Sequence, residues 1–211
     1  TDTKVECLPH QRYQSYSIIM ENKNKYIIIG FNGSGKMAVA NALREMGVNV
    51  GQTFRSIESV GNQYSLSTVV YDVKELNNLF ENQAYLFIKE STNKANRYYE
   101  GISFYEYQNH DVFVMTPDQF NTVARFDDNV VFVWLDNNSS QRRSRHRIEK
   151  RKYDFIRQEN IEQEYVQDFT DRINDNAILY FNNEHPDRVA AVIYSVIKHP
   201  DLLDVYLKAF N

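Results

Sequence analysis

The residues with the clearest chemistry are Gly30-Phe31-Asn32-Gly33-Ser34-Gly35-Lys36, which fit the spacing G-x-x-x-x-G-K. Glycines at such positions let successive backbone N–H groups turn inward into a concave nest, and a nest of this kind binds phosphate oxygens. A helix that starts directly after it adds the partial positive charge of its N-terminus. Lys36 then reaches the terminal phosphates as a point charge. The plain alternative is a glycine-rich turn that only matches the letters. What separates the two is the flanking structure, a buried strand before and a helix after. One residue departs from the pattern: the Ser or Thr that normally follows the lysine and holds Mg²⁺ is Met37, with Ala38 next. A thioether is a poor partner for that hard, oxygen-seeking cation. Either Mg²⁺ is held through water and the phosphates of the nucleotide itself, or catalysis is weakened or lost.

The second chemical signal is a basic run. Residues 142–151 read RRSRHRIEKR, with Arg142, Arg143, Arg145, Arg147 and Arg151. Arg143, Arg147 and Arg151 are four apart and share one face of a helix. Charges stacked in this way repel one another unless an anion meets them, and planar guanidinium groups suit a migrating phosphoryl group. A solvated basic face and a nucleic-acid patch are the competing readings. The five histidines (His10, His110, His146, His185 and His199) show no metal-ligand spacing, and the single cysteine, Cys7, allows no intrachain disulfide.

Elements must position these groups. Residues 25–29 form a β-branched run that ends at Gly30 and reads as a buried strand. Met37, Val39, Ala40, Leu43 and Met46 recur at helical spacing directly after the loop. Residues 66–71, 85–88, 112–115, 130–135 and 177–181 read as further strands. Residues 73–82, 102–108, 117–124, 156–173, 186–198 and 200–210 read as helices, with Pro117 suited to a first turn. Ser139 or Ser140 could cap the basic helix. Strands alternating with helices predict an α/β fold, a mainly parallel sheet covered on both faces. Residues 53–107 break that rhythm and read as an inserted α+β piece, and residues 1–21 carry no periodicity and read as a loose leader.

Composition bounds the partners. A chain of 211 residues with 42% hydrophobic and 25% charged residues is long enough for one globular domain with inserted subregions. A net charge of -4 gives no global reason to expect nucleic acid or an anionic membrane as partner, so a basic site must be local. The apolar runs are too short to span a bilayer and the first residues show no signal-peptide pattern, so a cytoplasmic location is expected. The 15 tyrosines and the few glycines fit an AT-rich genome, a viral one included.

With the loop placed, the order and spacing of residues 25–198 resemble guanylate kinase, a P-loop nucleoside-monophosphate kinase. The resemblance implies a P-loop kinase fold with core 22–52, 108–136 and 159–211, a monophosphate-binding insertion 53–107 and a basic helical lid 137–158. Arg55 and Tyr64 fall where the family has an arginine and a tyrosine of the insertion. Glu75-Leu76, then Leu86-Phe87-Ile88-Lys89-Glu90, then Tyr98-Tyr99-Glu100-Gly101 resemble its "EF…FIE…YYG". By resemblance, Arg55, Tyr64 and Tyr98 or Tyr99 hold the acceptor phosphate, and Glu90 accepts hydrogen bonds from a base edge. The bland reading makes the tyrosines packing aromatics and Arg55 and Glu90 solvated charges. The family's second arginine has no match, since Glu58 stands near that place. Arg147, Arg151 and Arg157 match the lid and next-helix arginines. Asn32, Gly33, Ser34, Gly35, Lys36 and Met37, with Arg143 and with Asn182 or Asn183 at the last strand's end, are the expected ATP contacts. The family's third core strand ends in carboxylates near the metal; here it reads Val112-Phe113-Val114-Met115-Thr116-Pro117, with Asp118 just beyond.

The implied activity is transfer of the γ-phosphoryl of ATP, with Mg²⁺, to a nucleoside monophosphate, with GMP or dGMP leading. The alternatives are a guanylate kinase-like binding module that has lost catalysis, and a kinase for another phosphorylated small molecule or a modified deoxynucleotide. The expected partners are small-molecule nucleotides, not membrane or nucleic acid.

Overall fold

The structure, a computed structural model, describes residues 3–6, 24–31, 33–56, 68–82, 84–93, 96–115, 129–137, 142, 163, 177–182 and 184–210. Along the chain the described elements are β1 (Thr3–Glu6), β2 (Lys25–Gly30), α1 (Lys36–Glu45), β3 (Thr53–Ser56), β4 (Thr68–Tyr71), α2 (Val73–Glu81), β5 (Tyr85–Asn93), β6 (Asn96–Ser103), α3 (Phe104–Asn109), β7 (Val112–Val114), β8 (Val130–Asp136), β9 (Ala177–Asn182), α4 (Pro186–Lys198) and α5 (Leu203–Phe210). A short 3₁₀ turn, Pro200–Leu202, joins the last two helices. The chain divides into two compact units, one of residues 1–23 and 51–110, the other of residues 24–50 and 111–211.

The second unit is α/β. Its four-stranded sheet runs β7-β2-β8-β9 with every described pair parallel. β2 and β8 are continuous apolar runs, as parallel strands buried on both faces must be, whereas β9 buries Leu179 and Phe181 and exposes Tyr180 and Asn182. Tyr26, Ile28, Val131, Val133, Leu135, Leu179 and Phe181 share one buried cluster with Val39, Ala40 and Leu43 of α1 and Val189, Ala190, Ile193 and Val196 of α4. Leu203, Tyr206 and Leu207 of α5 close on the same cluster. By strand alternation Ile27, Ile29, Phe132 and Trp134 serve the other face, and they too are buried. Each such side chain contributes about 1.5–3 kcal/mol on burial. The register places Gly30 opposite Leu135, and Asp136 opposite Asn182, at the carboxyl ends of the strands. Ligands of open α/β sheets bind at that edge.

The first unit is a mixed five-stranded sheet in the order β1-β5-β6-β3-β4, antiparallel except for the β3–β4 pair. Leu76 and Leu79 of α2 pack one face on Phe54 and Ile88. Asp72 and Glu75 start α2 with a reciprocal capping box: the Asp72 side chain accepts from the Glu75 N–H and Glu75 accepts from the Asp72 N–H, both at 2.8 Å.

Several boundaries differ from the sequence reading. The helix expected over 102–108 begins at Phe104, because Ile102 and Ser103 close β6 and the Ser103 hydroxyl caps the helix by accepting from the Glu106 N–H at 3.2 Å. The strand read at 85–88 continues to Asn93, since the whole of β6 pairs with it. Thr3–Glu6, read as part of a leader, is a strand paired with β5 from Thr3↔Ser91 to Glu6↔Ile88. The strand read at 66–71 is described from Thr68. The helices read at 117–124 and 156–173, the basic helix with its Ser139 or Ser140 cap, and Asp118 lie outside the described residues.

Candidate active site

The glycine-rich loop connects β2 to α1 inside the α/β unit. Gly35 caps α1 in the left-handed region, at φ 96° and ψ 9°, a conformation glycine adopts without steric penalty. It brings no capping side chain, and the N-terminus of a helix favours an anion. The Ser34 N–H donates to the Phe31 carbonyl at 3.0 Å and tightens the loop. Lys36 is buried, 8% exposed, and its ammonium donates to the Gly30 carbonyl at 2.6 Å and the Phe31 carbonyl at 2.9 Å. The cation therefore sits folded against its own loop. The Ser34 hydroxyl is buried and makes no hydrogen bond among the described residues. A buried orphan hydroxyl in a glycine cradle fits a phosphate oxygen, which would satisfy it.

The chain leaving β8 braces this loop. The Asn137 amide donates to the Ser34 carbonyl. The Arg142 Nε donates to the Asn137 carbonyl at 3.0 Å, and the Arg142 guanidinium lies 4.6 Å from the centroid of the Phe31 ring. Phe31 in turn meets Trp134 edge-on, with centroids 5.9 Å apart. On the neighbouring strand the Tyr180 phenol donates to the Asp136 carboxylate. Burial first, and then that bond and the carboxylate's charge, push the Tyr180 phenol up to about 12. Asn182, an expected ATP contact, stands beside Asp136 at the end of β9.

A protein-held Mg²⁺ would need oxygen ligands beside the loop. Met37, in the place of the usual hydroxyl, is 38% exposed at the first turn of α1. The Asp136 carboxylate is engaged by Tyr180. Among the described residues no three His, Cys, Asp or Glu gather as a ligand set. The described residues fit a phosphate group and do not fit a protein-held Mg²⁺.

The expected acceptor residues lie in the other unit, and two of them part company there. Arg55 and Glu100 face each other across β3 and β6 and form an ion pair at 3.3 Å. The buried Arg55 Nε has no partner among the described residues. Tyr99, one residue before Glu100, faces the opposite side: its ring packs at 5.1 Å on Phe80 of α2, and its N–H donates to the buried Ser56 hydroxyl at 3.1 Å. Glu90 is paired with Tyr99 in the register and shares that side. A ligand resting on Arg55 meets Glu100, not Tyr99 or Glu90. Tyr98 stands in β6 opposite Ser91. Asn32, Tyr64, Arg143, Arg147, Arg151, Arg157 and Asn183 lie outside the described residues.

The sequence reading missed Asn137, Trp134, the Asp136–Tyr180 pair, Glu100 and the burial of Arg142. Two signals were available. Asn137 is the first polar residue after the Asp that ends an apolar strand, at the edge where ligands bind. Period-two alternation from buried Ile88 already sets Glu90 on the α2 side.

Neither a protein-family model nor a curated protein matches the sequence. Solved structures match in shape. Guanylate kinase from Anaplasma phagocytophilum aligns over 84% of this chain and 86% of that chain at 13% identity, with a TM-score of 0.51. Shikimate kinase from Acinetobacter baumannii, in complex with shikimate, aligns over 90% of this chain and 99% of that one at 13% identity, with a TM-score of 0.42. A sugar kinase from Janibacter sp. aligns over 86% and 98% at 11% identity, with a TM-score of 0.41. The last two superpositions are too loose to carry weight, and at such identity the first speaks to the fold alone. A parallel sheet flanked by helices, a G-x-x-x-x-G-K loop between its β2 strand and α1, and this likeness make the chain a protein of the P-loop kinase fold.

Proposed function

We propose that the chain is a kinase that moves the γ-phosphoryl group of ATP to a nucleoside or deoxynucleoside monophosphate, with GMP or dGMP the leading acceptor. The observation that carries this reading is the loop itself: a glycine cradle with a buried Ser34 hydroxyl that has no partner among the described residues, and a buried Lys36 ammonium at the start of α1. Donor phosphates entering the cradle would draw the Lys36 ammonium from the Gly30 and Phe31 carbonyls onto their own oxygens. The acceptor's phosphate oxygen is the nucleophile. Its bond to the γ-phosphorus forms as the bond to the β-phosphate bridging oxygen breaks, and ADP leaves. An acceptor already ionised at neutral pH needs no strong base, so the work is positioning and charge stabilisation.

In this proposal Arg147, Arg151 and Arg157 surround the transferring group, and Arg143 and Asn182 assist the donor. On the acceptor side Arg55 is the phosphate cation, with Tyr64 and Tyr98 as its companions. The structure's split between the faces of the first unit weakens the acceptor roles of Tyr99 and Glu90. Mg²⁺ would accompany ATP on the nucleotide's own phosphates, and no step is assigned to it.

The test is phosphoryl transfer by wild type and by Lys36→Ala. Loss of a point charge on the transferring group should lower turnover on the order of 10³-fold. Equal turnover by the variant would remove Lys36 from the mechanism. A second reading, a binding module without catalysis, is favoured by Met37 in place of the metal-binding hydroxyl. Calorimetry with ATP separates the two, because a module that has abandoned catalysis has no need of the donor.

A further inference from the structure

We propose that Arg142 and Asn137 are positioning residues of the phosphate-binding loop, so that the loop's grip on donor phosphates depends on the chain leaving β8; this rests on the reading of the loop as the donor site. Arg142 heads the basic run, and its sequence context groups it with the solvent- or substrate-facing arginines. In the structure Arg142 is a buried side chain. It is 4% exposed, and burying a guanidinium is unfavourable unless partners compensate. Its partners include the Asn137 carbonyl at 3.0 Å and the face of the Phe31 ring at 4.6 Å.

These contacts close a circuit. Arg142 covers Phe31 and bonds Asn137, Asn137 bonds the Ser34 carbonyl, and the Ser34 N–H bonds the Phe31 carbonyl at 3.0 Å. Two points of a seven-residue loop are thus held by one segment outside it. The Lys36 ammonium sits on the same Phe31 carbonyl, at 2.9 Å, so the circuit reaches the cation that meets the donor. Arg142 has no need to touch the nucleotide. It holds Phe31 by a cation–π contact, and Asn137 holds Ser34, so the glycine cradle keeps one shape before the ligand arrives. Pre-set geometry of this kind lowers the ordering cost of binding and appears in donor affinity more than in the transfer step.

The chain has a single tryptophan, and Trp134 touches Phe31 edge-on, so its emission reports on the circuit directly. The experiment compares Arg142→Gln, Phe31→Leu and the double variant in full-length protein, with Asn137→Ala as a further single variant in case Arg142→Gln does not fold. ATP alone is the probe, followed by Trp134 emission and calorimetry. Each single variant should raise the Kd for ATP about tenfold with kcat at saturating ATP within about threefold, and the double variant should be no worse than either single, because the two side chains act as one unit. Trp134 emission should change in each. Additive losses, an unchanged Kd, or a fall in kcat at unchanged Kd would overturn the proposal, the last by placing Arg142 on the reacting groups. If wild type binds no ATP, the donor reading fails, and the same cycle read on urea midpoints still decides the circuit: coupled midpoints support it and additive ones overturn it.

Discussion

Gly30 joins the sheet to the loop at a point where only hydrogen fits. Its φ is +155°, and a Cβ there would lie 2.6 Å from the Leu135 carbonyl oxygen and 2.9 Å from the Ser34 hydroxyl. The first obstacle is backbone of β8 and cannot move aside. Gly30→Ala should cost about 2–4 kcal/mol of stability in urea denaturation and weaken ATP binding with it. A variant as stable as wild type would mean that β8 does not approach the loop as described. Tyr180 allows a test by pH. Its phenol is raised from 10.0 to about 12, so the folded state holds its proton more tightly than the unfolded chain does. That contribution is complete below pH 10 and is lost as pH rises through about 12. Tyr180→Phe removes it, so unfolding free energy should fall less steeply across that window in the variant than in wild type. Equal slopes would show that the folded state does not raise the phenol.

At the scale of elements, what was legible follows from periodicity. β2, β8 and β9 are short continuous apolar runs, and α1 and α4 carry apolar residues three and four apart, so each was readable from its own residues. β1, β3 and β6 were not. β3 is TFRS and β6 is NRYYEGIS; neither strictly alternates, and β1 and β3 are only four residues long. Such strands exist because of partners far along the chain, Thr3 with Ser91 and Phe54 with Gly101, and pairing over such distances leaves little local mark. Register likewise sets the faces of the expected acceptor residues. Arg55, Tyr99 and Glu90 match a family's order, but which sheet face each one meets is set by register. α2 is the contrary case, because Asp72 and Glu75 announce its start in sequence. Asp72→Ala should cost about 1 kcal/mol, since it leaves a first-turn N–H without its acceptor. Urea midpoints check this, and an unchanged midpoint would mean that the box does not form.

For the molecule as a whole, the nucleotide-loop chemistry and the acceptor-like chemistry fall in different compact units, the loop with the parallel sheet and Arg55 with the mixed sheet. The G-x-x-x-x-G-K loop was legible because its function lies in backbone geometry that glycine spacing encodes. Its bracing was not, because Arg142 reaches Phe31 across 111 positions of sequence only after β2 and β8 have paired, Gly30 against Leu135. No described helix is long and apolar enough to cross a membrane. The net charge of -4 leaves anion binding to local groups, as the glycine cradle and Lys36 provide. The most direct measurement is ADP release from Mg²⁺–ATP with a panel of ribo- and deoxynucleoside monophosphates, with Lys36→Ala as control. The account predicts turnover on one or a few acceptors, GMP or dGMP first, that falls on the order of 10³-fold in the variant. No turnover with any acceptor from folded protein that binds ATP, or turnover that Lys36→Ala leaves intact, would contradict it.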